Sequence, residues 1–471
     1  MKRIILTILS VVLIGNVAEA RKVTGKVVCG NEKLSGVIVT DGKNFTETVK
    51  GKFSFDIADD AEFVYIVTPA GYAADWSTGI PAFYQRAQEC KKFTFELLKT
   101  GTAENYSIIA IADPQTRSKK HFSKFAGKPM EDLCKTAGEF GNCAVGLTLG
   151  DICWDALDHL ELYKKEIVRT GIPFYPVVGN HDHEKEAKGD RQTTAVYRST
   201  MGPENYAFFL GKDIVVVVDD ILYDTQKKYK DGYTLELIDW IKGLMAHVPA
   251  ESAVYVAQHS PVLHWDKGNY TNINTDKLFS ALEGHEIIFL SGHTHITNNF
   301  QYAENITEHN IAALCGSWWD TIHCTDGTPR GYKVFTKKDG CLTWYYKSVD
   351  YPKDHQVEIY GIGQTCNHPE SIVANVWDWD PDWKIEWYQD GVHMGNMENI
   401  HELCPIYQKE IAKVFTDKGE EIPRFKKPRL NYHYFAATPS EGAKNVRISV
   451  TSRFGQKWDF DIIVSANQIQ F

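Results

Sequence analysis

Five short polar blocks, each directly after an apolar run, constrain this chain more than any other feature of its sequence. The runs before them are short, rich in Val, Ile and Ala and barely alternating, which is typical of strands buried on both faces. Ligands of open α/β sheets gather at the carboxyl ends of such strands, so the blocks predict one polar rim. Oxygen and imidazole groups in this mixture are what a pair of divalent metals requires. The blocks are Asp113-Pro114-Gln115, Gly150-Asp151, Gly179-Asn180-His181-Asp182, Gln258-His259 and Gly292-His293-Thr294-His295.

The first twenty residues have the pattern of an export signal rather than of a folded element. Lys2 and Arg3 precede an apolar stretch over 4–17, and Ala18-Glu19-Ala20 matches a cleavage site. We therefore expect cleavage after Ala20 and a mature protein in the periplasm or outside the cell. An uncleaved anchor is the alternative, although the apolar stretch is short for a permanent membrane span. No transmembrane helix is expected after signal cleavage.

Length, charge and cysteine content restrict the class of protein further. A chain of 471 residues has room for two or three domains. Its formal net charge of −10 argues against a nucleic-acid partner, because binding to a phosphate backbone needs a basic face. The ten cysteines form an even number in an exported chain, which predicts disulfides. Cys29 with Cys90 and Cys134 with Cys143 are plausible pairs, whereas Cys153 is expected to be a buried thiol.

Composition and periodicity divide the rest of the chain into three predicted domains. Residues 21–100 contain β-rich runs between Gly, Asn and Asp turns, which resemble transthyretin-like or carboxypeptidase-regulatory-like β-sandwiches. Residues 101–349 alternate strand-like runs with helical patterns and carry all five blocks. Residues 350–471 contain aromatic and strand-like runs, which predict a mostly β C-terminal domain.

The ordered blocks resemble the calcineurin-like metallophosphoesterase superfamily, whose pattern is D-x-H, GD, GNH-D/E, a lone His and G-H-x-H. The resemblance spans about half the chain. It implies an α/β fold with a four-layered α/β/β/α sandwich, flanked here by an N-terminal β-sandwich and a C-terminal mostly β domain. It also implies an enzyme, a metal-dependent phosphoric ester hydrolase. The matching residues are Asp113, Asp151, Asn180, His181, His259, His293 and His295.

Two departures from the family pattern concern the metals and the acid chemistry. Gln115 stands where most relatives have His, although some branches carry D-P-Q. An amide oxygen is a neutral and weaker ligand than imidazole, so Gln115 either binds one metal loosely or only orients a water. Trp154 stands where relatives often have Asp, and Asp155 follows it.

The resemblance implies a role for each matching residue. Two divalent ions (Mn, Fe, Zn or Mg) would lower the pKa of a shared water, and the resulting hydroxide would attack phosphorus. Asp151 would bridge them, since a carboxylate has two oxygens. His181 would protonate the leaving oxygen, oriented by Asp182 or by Asp155, and the two remain equal alternatives. The first metal would be held by Asp113, Asp151, His295 and Gln115, and the second by Asp151, Asn180, His259 and His293.

Four further residues are weaker candidates for substrate contact. Arg117 could bind a substrate phosphate through its fork of donors, and His183 extends the third block, but both residues are ordinarily solvated or at a rim. Trp318 and Trp319 follow a predicted strand over Ile311–Leu314. They would stack on part of a substrate or simply pack in the core.

These patterns leave two functions from different classes. The first is an exported dinuclear-metal phosphoesterase that hydrolyses a phosphomonoester or phosphodiester, either a small organic phosphate or an envelope phosphoester. The second is a catalytically silent, metal-stabilised binding protein that acts through its β domains on a glycan or envelope surface. Retention of His181 favours the first, because binding alone needs no general acid.

Overall fold

The computed structural model describes residues 21–264 and 270–464. The predicted signal segment over 1–20 and its cleavage site lie outside the described residues. Within the described ranges, no helix combines the length and apolar character needed to cross a membrane.

Residues 21–100 form two small β-sheets that share one apolar core. One sheet has the order β2-β1-β9-β7 with β5 paired to β1, and the other has the order β4-β3-β6-β8. In β9, Phe93, Phe95 and Leu97 are buried while the residues between them are exposed, so one face of the strand points inward. The predicted N-terminal β-sandwich is confirmed. The strands are β1 (Arg21–Cys29), β2 (Glu32–Lys33), β3 (Ile38–Thr40), β4 (Phe45–Glu47), β5 (Lys52–Ile57), β6 (Phe63–Ile66), β7 (Tyr72–Ala74), β8 (Tyr84–Arg86) and β9 (Lys92–Lys99).

The central part of the chain alternates strands and helices, as the sequence predicts. Its strands are β10 (Tyr106–Ile111), β11 (Ala144–Leu149), β12 (Phe174–Val177), β13 (Tyr206–Leu210), β14 (Asp213–Val217), β15 (Ile221–Thr225), β16 (Lys228–Asp231), β17 (Val254–Ala257), β18 (Leu263–His264), β19 (Tyr270–Thr271), β20 (Ile287–Ser291), β21 (Asn298–Ala303), β22 (Ile306–Asn310), β23 (Gly331–Lys338) and β24 (Cys341–Ser348). Its helices are α1 (Lys119–Ala126), α2 (Lys128–Phe140), α3 (His159–Ile167), α4 (Asp190–Thr193), α5 (Ala195–Met201), α6 (Leu235–Met245) and α7 (Thr275–Ala281).

Two central sheets pack face to face between helices. The first has the order β12-β11-β10-β23-β24 and the second the order β13-β14-β17-β20-β22-β21. Tyr106 of the first sheet donates to Asp213 of the second over 2.6 Å. On the outside, the hydroxyl of Thr136 in α2 lies 2.7 Å from that of Tyr332 in β23. Phe279 of α7 packs on Phe289 of β20 with 5.8 Å between ring centres. The predicted four-layered α/β/β/α sandwich is confirmed.

The five polar blocks lie at the carboxyl ends of strands from both central sheets. Three blocks follow β10, β11 and β12, which are mutually parallel and buried along their whole length. The other two follow β17 and β20 in the second sheet. The sequence predicts a single rim, and the structure builds that rim from two facing sheets. The predicted strand over Ile311–Leu314 is wrong, because β22 ends at Asn310, the next three residues have no regular secondary structure and a turn begins at Leu314.

The C-terminal part is mostly β, as predicted. It has two sheets, β25-β26-β30-β29 and β28-β27-β31-β32, and one long helix, α8, whose Tyr407, Ile411 and Phe415 are buried. Its elements are β25 (Val357–Tyr360), β26 (Ile372–Val376), β27 (Lys384–Gln389), β28 (Val392–Asn396), β29 (Glu398–Glu402), α8 (Pro405–Lys418), β30 (Asn431–Ala437), β31 (Asn445–Thr451) and β32 (Lys457–Ile463).

The structure does not bear out the predicted disulfides. All ten cysteines lie within the described residues, and all ten are free. A chain of this length buries enough apolar surface to fold without cross-links. The expectation for Cys153 is met, since it is a buried thiol whose pKa is raised well above the usual range by burial and by nearby Asp182.

Glu308 on β22 gives the folded protein a testable pH dependence. It is fully buried and accepts hydrogen bonds from the Ser291 and Tyr302 hydroxyls and from the Val262 amide. Burial nevertheless raises its pKa from 4.5 to about 7. Between these values the folded state keeps a proton that the unfolded state has lost, so stability falls as pH rises through this window. Above pH 7 Glu308 is ionised in both states, and burying its charge lowers the stability of the folded state.

We expect Glu308→Gln to flatten the fall in the free energy of unfolding between pH 5 and pH 7. Buried Asp182 and Asp220, whose pKa values are raised to about 6 and about 7, retain part of the slope. Urea unfolding of chelator-treated protein at several pH values measures the slope. Exposed Glu304→Gln, on the same hairpin, is the matched control. Equal slopes in the wild type and Glu308→Gln would refute this assignment.

Candidate metal centre

The polar blocks turn sharply where their strands end. Asp113, Asp151, His293 and His295 have φ values of 51°, 50°, 67° and 55°, a left-handed region that non-glycine residues seldom occupy. Strain of this kind persists where the surrounding structure enforces it and is concentrated at functional sites. Gly179 permits the close approach of two blocks, because a Cβ there would stand 2.1 Å from the Asp151 amide nitrogen.

His259 lies at the centre of one group of ligand atoms. Its Nε2 is 3.2 Å from Asp151 Oδ1, 3.2 Å from Asn180 Oδ1 and 3.1 Å from His293 Nδ1. One ligand atom from each of Asp151, His259 and His293 falls within 4.8 Å of the others. These atoms are lone-pair donors that face one another, an arrangement that a cation stabilises. The set coincides with the residues predicted for the second metal.

Asp113 and His295 form a second group beside the first. Asp113 Oδ1 lies 3.4 Å from His295 Nε2, and Asp113 Oδ2 accepts the backbone N–H of His293 over 3.0 Å. Gln115 donates its amide N–H to Asp151 Oδ2 over 2.6 Å. Asp113 Oδ1 and Gln115 Oε1 are buried and make no hydrogen bond to any residue that the structure describes. Buried oxygens without donors fit a divalent metal, which needs oxygen ligands.

Backbone carbonyls fix which ring nitrogen of two histidines faces the cluster. His259 Nδ1 lies 2.8 Å from the Leu149 carbonyl oxygen, and His295 Nδ1 lies 3.3 Å from that of Gly316. Each Nδ1 therefore donates its proton outward, which leaves the Nε2 lone pair for the centre of the site. This is the usual arrangement around metal-binding histidines.

The electrostatics of the cluster favour positive charge at its centre. Burial disfavours the ionised carboxyl of Asp151, but nearby His259 and His181 outweigh it and hold its pKa well below the usual range. Burial likewise lowers the pKa of His259, yet the Asp151 carboxylate overcomes this effect and raises the value to about 10. A site that attracts a proton this strongly attracts a divalent cation for the same reason.

His181 projects from the third block with one of its two candidate partners. Its Nδ1 lies 2.8 Å from Asp155 Oδ1, and Lys185 Nζ lies 2.5 Å from the same oxygen. Asp182 instead accepts the backbone amides of Ile152, Cys153 and Gly179, at 3.1, 2.9 and 2.9 Å. The structure therefore brings Asp155 to His181 and uses Asp182 to hold two blocks together.

The four weaker substrate candidates lie in different environments. The exposed side chain of Arg117 lies over the Trp154 ring, with 3.9 Å between its guanidinium carbon and the ring centre. His183 is 2 % exposed and lies 2.7 Å from the Thr193 hydroxyl, so it is buried rather than at the rim. Trp318 stacks on His295 with 4.1 Å between ring centres. Trp319 is buried and donates to the Pro114 carbonyl over 3.0 Å, which favours the packing interpretation for this residue.

Sequence reasoning missed residues that support the cluster from behind. Asp220 accepts the backbone amides of His259 and Ser260 at 3.0 and 2.9 Å. It follows buried strand β14, so the rule applied to the five blocks would have found it. Lys185 carries no such signal, because it lies in a loop and reaches Asp155 only in the folded chain.

The C-terminal part also contacts the end of the last block. Asn431 of β30 donates to the Thr297 carbonyl over 3.3 Å, two residues beyond His295. His433 Nε2 lies 3.0 Å from Asp326 Oδ2, which accepts the Thr297 amide over 2.9 Å. All four residues are buried. The backbone beside His295 is therefore held on both its N–H and its C=O by a network that reaches into a different part of the chain.

Three models of one protein family match the chain in sequence. The description "N terminal of Calcineurin-like phosphoesterase" matches residues 21–100, and "Calcineurin-like phosphoesterase" matches residues 107–297. The description "C terminal of Calcineurin-like phosphoesterase" matches residues 308–458. No curated protein matches the chain.

Several solved structures are similar in fold to part of the chain. A dimetal phosphatase from Danio rerio has a TM-score of 0.39 and 13% identity, covering 52% of this chain and 96% of its own. GAP50, the anchor in the inner membrane complex of Plasmodium, has a TM-score of 0.38 and 11% identity, covering 52% and 85%. A 5'-nucleotidase from Candida albicans has a TM-score of 0.33 and 10% identity, covering 53% of each chain.

Proposed function

Because the chain belongs to the calcineurin-like phosphoesterase family, we propose that it is an exported, dinuclear-metal phosphoesterase that hydrolyses a phosphomonoester or phosphodiester. The observation that carries the proposal is the convergence of Asp151, His259 and His293, whose ligand atoms lie within 4.8 Å of one another. We retain the domain division at 21–100, 101–349 and 350–471 and the export of the protein as parts of this proposal.

Two sets of residues would hold the metals. Asp151, Asn180, His259 and His293 form one set, and Asp113, Asp151 and His295 the other. When bound, two divalent metals supply Lewis acidity to the phosphoryl oxygens and lower the pKa of a water. Gln115 acts as a positioning residue in this proposal, since its amide N–H is used on Asp151 Oδ2. Its Oε1 has no hydrogen-bond partner among the described residues, which leaves a contact with the first metal available as well.

His181 would carry the proton chemistry. Its Nδ1 is engaged by Asp155, which leaves Nε2 to donate to the leaving oxygen of the substrate. Burial opposes ionisation of Asp155, but the hydrogen bond and charge of His181 hold its pKa below the usual range, with Lys185 adding to the effect. The carboxylate therefore stays charged and keeps the ring oriented.

Chelation tests the proposed function. Purified protein loaded with Mn²⁺, Fe or Zn²⁺ should hydrolyse 4-nitrophenyl phosphate or bis(4-nitrophenyl) phosphate. Treatment with EDTA followed by dialysis should reduce the rate to background, and adding metal back should restore it. Elemental analysis should find two metals per chain before chelation. A rate that survives complete metal removal would refute the proposal.

The same experiment separates the silent binding protein from the enzyme. A binding protein would retain two metals per chain but would not turn over a broad panel of phosphomonoesters and phosphodiesters. The panel also decides between monoesterase and diesterase activity, because the two aryl substrates differ only in the number of ester bonds at phosphorus.

A further inference from the structure

Five cationic side chains from two parts of the chain gather beside the metal centre. We call Arg117, Lys120, Lys124, Lys418 and Lys426 the basic cluster. The first three lie in or before α1, Lys418 ends α8, and Lys426 lies in the segment that follows α8. Lys124 donates to the Trp319 carbonyl, which brings α1 against the loop that carries Trp318 and Trp319.

Little negative charge offsets the positive charge of this cluster. Lys418 and Lys426 share one carboxylate, Asp320, with Lys418 Nζ at 3.1 Å from Asp320 Oδ1. Lys124 uses its hydrogen bond on a neutral carbonyl. Desolvation and then the positive charge of Lys120 lower the pKa of Lys124. Desolvation and then the charges of Arg117 and Lys124 lower the pKa of His121 to about 4. An excess of positive charge at one place in a chain of net charge −10 calls for an anionic ligand.

Ring contacts place the basic cluster next to the metal-binding residues. Lys426 Nζ lies 5.7 Å from the centre of the Trp318 ring, which stacks on His295 at 4.1 Å. On the other side, Arg117 lies over Trp154 at 3.9 Å, and the Trp154 ring lies 6.0 Å from that of His181. The cluster therefore borders the centre near His295 at one end and near His181 at the other.

The cluster is accessible to a ligand and flanked by apolar surface. Arg117, Lys120 and Lys124 are exposed, whereas Lys426 is buried and held in place by Asp320. Phe425 is 42% exposed and packs edge-on against Trp318 with 4.9 Å between ring centres. Cations beside an aromatic wall suit an organic molecule that carries an anionic group.

We propose that the basic cluster beside Trp318 binds a second anionic group of the substrate, a phosphate or carboxylate carried beyond the phosphoryl group that is hydrolysed. The inference rests on the proposed function for the statement that the anion belongs to a substrate. The existence of the anion site does not depend on turnover, since its cations need no metal.

Binding of inorganic pyrophosphate to EDTA-treated protein tests the site without the metal centre. Titration calorimetry should detect binding that weakens at high salt, because exposed charges are screened. Lys124→Gln and Lys418→Gln should each weaken it about two- to fivefold, the scale of one partly exposed charge pair. Lys124→Arg should retain binding. Lys413→Gln, whose lysine is 75% exposed on the same helix as Lys418, is the matched control and should behave as wild type.

Kinetics of the metal-loaded protein test whether the bound anion is part of a substrate. The ratio of kcat/KM for fructose 1,6-bisphosphate to that for fructose 6-phosphate should exceed one and should fall in Lys124→Gln and Lys418→Gln. Pyrophosphate binding that these substitutions leave unchanged would overturn the site. Binding that they weaken, with an unaltered ratio, would overturn the assignment to substrate. Loss of all hydrolysis with intact binding would refute the proposed function but not the anion site.

Discussion

Asp151→Asn is expected to abolish phosphoester hydrolysis and to lower the metal content of the purified protein more than any other single substitution. Asp151 alone belongs to both proposed metal sets, and its two oxygens are both in use. Oδ1 lies 3.2 Å from His259 Nε2, and Oδ2 accepts the Gln115 amide N–H over 2.6 Å. Asparagine would remove the negative charge. Its side-chain N–H group would face either another N–H donor, such as that of Gln115, or a bound cation.

The expected loss in kcat/KM exceeds about 100-fold. Removing a residue that only hydrogen-bonds to a metal ligand already lowers metal affinity or activity about 10–100-fold. Steady-state hydrolysis of 4-nitrophenyl phosphate and elemental analysis of the same preparation measure both effects. Asp239→Asn, whose carboxylate is 76% exposed on α6, is the control and should retain metal and activity. Full metal content with wild-type turnover in Asp151→Asn would contradict the bridging role.

His181→Ala should produce the second largest loss, and the loss should depend on the leaving group. A general acid contributes about 10²–10⁴-fold to a rate, and contributes most where the leaving oxygen is a poor one. An alkyl phosphate should therefore lose far more activity than 4-nitrophenyl phosphate, whose phenolate leaves without protonation. Metal content should stay unchanged, since His181 belongs to neither proposed metal set.

Asp155→Asn separates orientation of His181 from its chemistry. The variant keeps a hydrogen-bond acceptor 2.8 Å from His181 Nδ1 but removes the charge, so the loss on alkyl phosphates should be smaller than in His181→Ala. The acidic and basic limbs of its pH–rate profile should move relative to those of the wild type. Equal losses on alkyl and 4-nitrophenyl phosphates in His181→Ala would contradict the acid role.

The sequence predicted the parts of this protein in which local pattern and burial agree. The strands before the five blocks are buried on both faces, so their apolar runs stand out, and the polar residues after β10, β11, β12, β17 and β20 fall at the rim as expected. The chain's membership in the family then supports the layered fold around them. The strand predicted after β22 is absent, because an apolar run such as Ile311–Leu314 can be buried in the core without joining a sheet.

Contacts between distant parts of the chain were beyond sequence reasoning. Two equal alternatives for orienting His181 could be separated only by seeing that the Asp182 oxygens accept three backbone amides. The basic cluster also escapes inspection, because its two groups of residues are separated by 294 residues, from Lys124 to Lys418, in a chain whose net charge is negative. Residue types alone do not reveal which polar side chains meet after folding.

The hydrogen bonds from Asn431 to Thr297 and between His433 and Asp326, which accepts the Thr297 amide, have a thermodynamic consequence for the C-terminal part of the chain. They hold the backbone next to His295, so occupancy at the centre and attachment of β30 are linked equilibria. Linkage is reciprocal: the free energy by which metal binding would strengthen the hold of the C-terminal sheet equals the free energy by which that hold would strengthen metal binding. The C-terminal sheet is therefore not an interchangeable module. A chimera that takes this sheet from a relative would also have to keep the partners of its hydrogen bonds, Asp326 and Thr297.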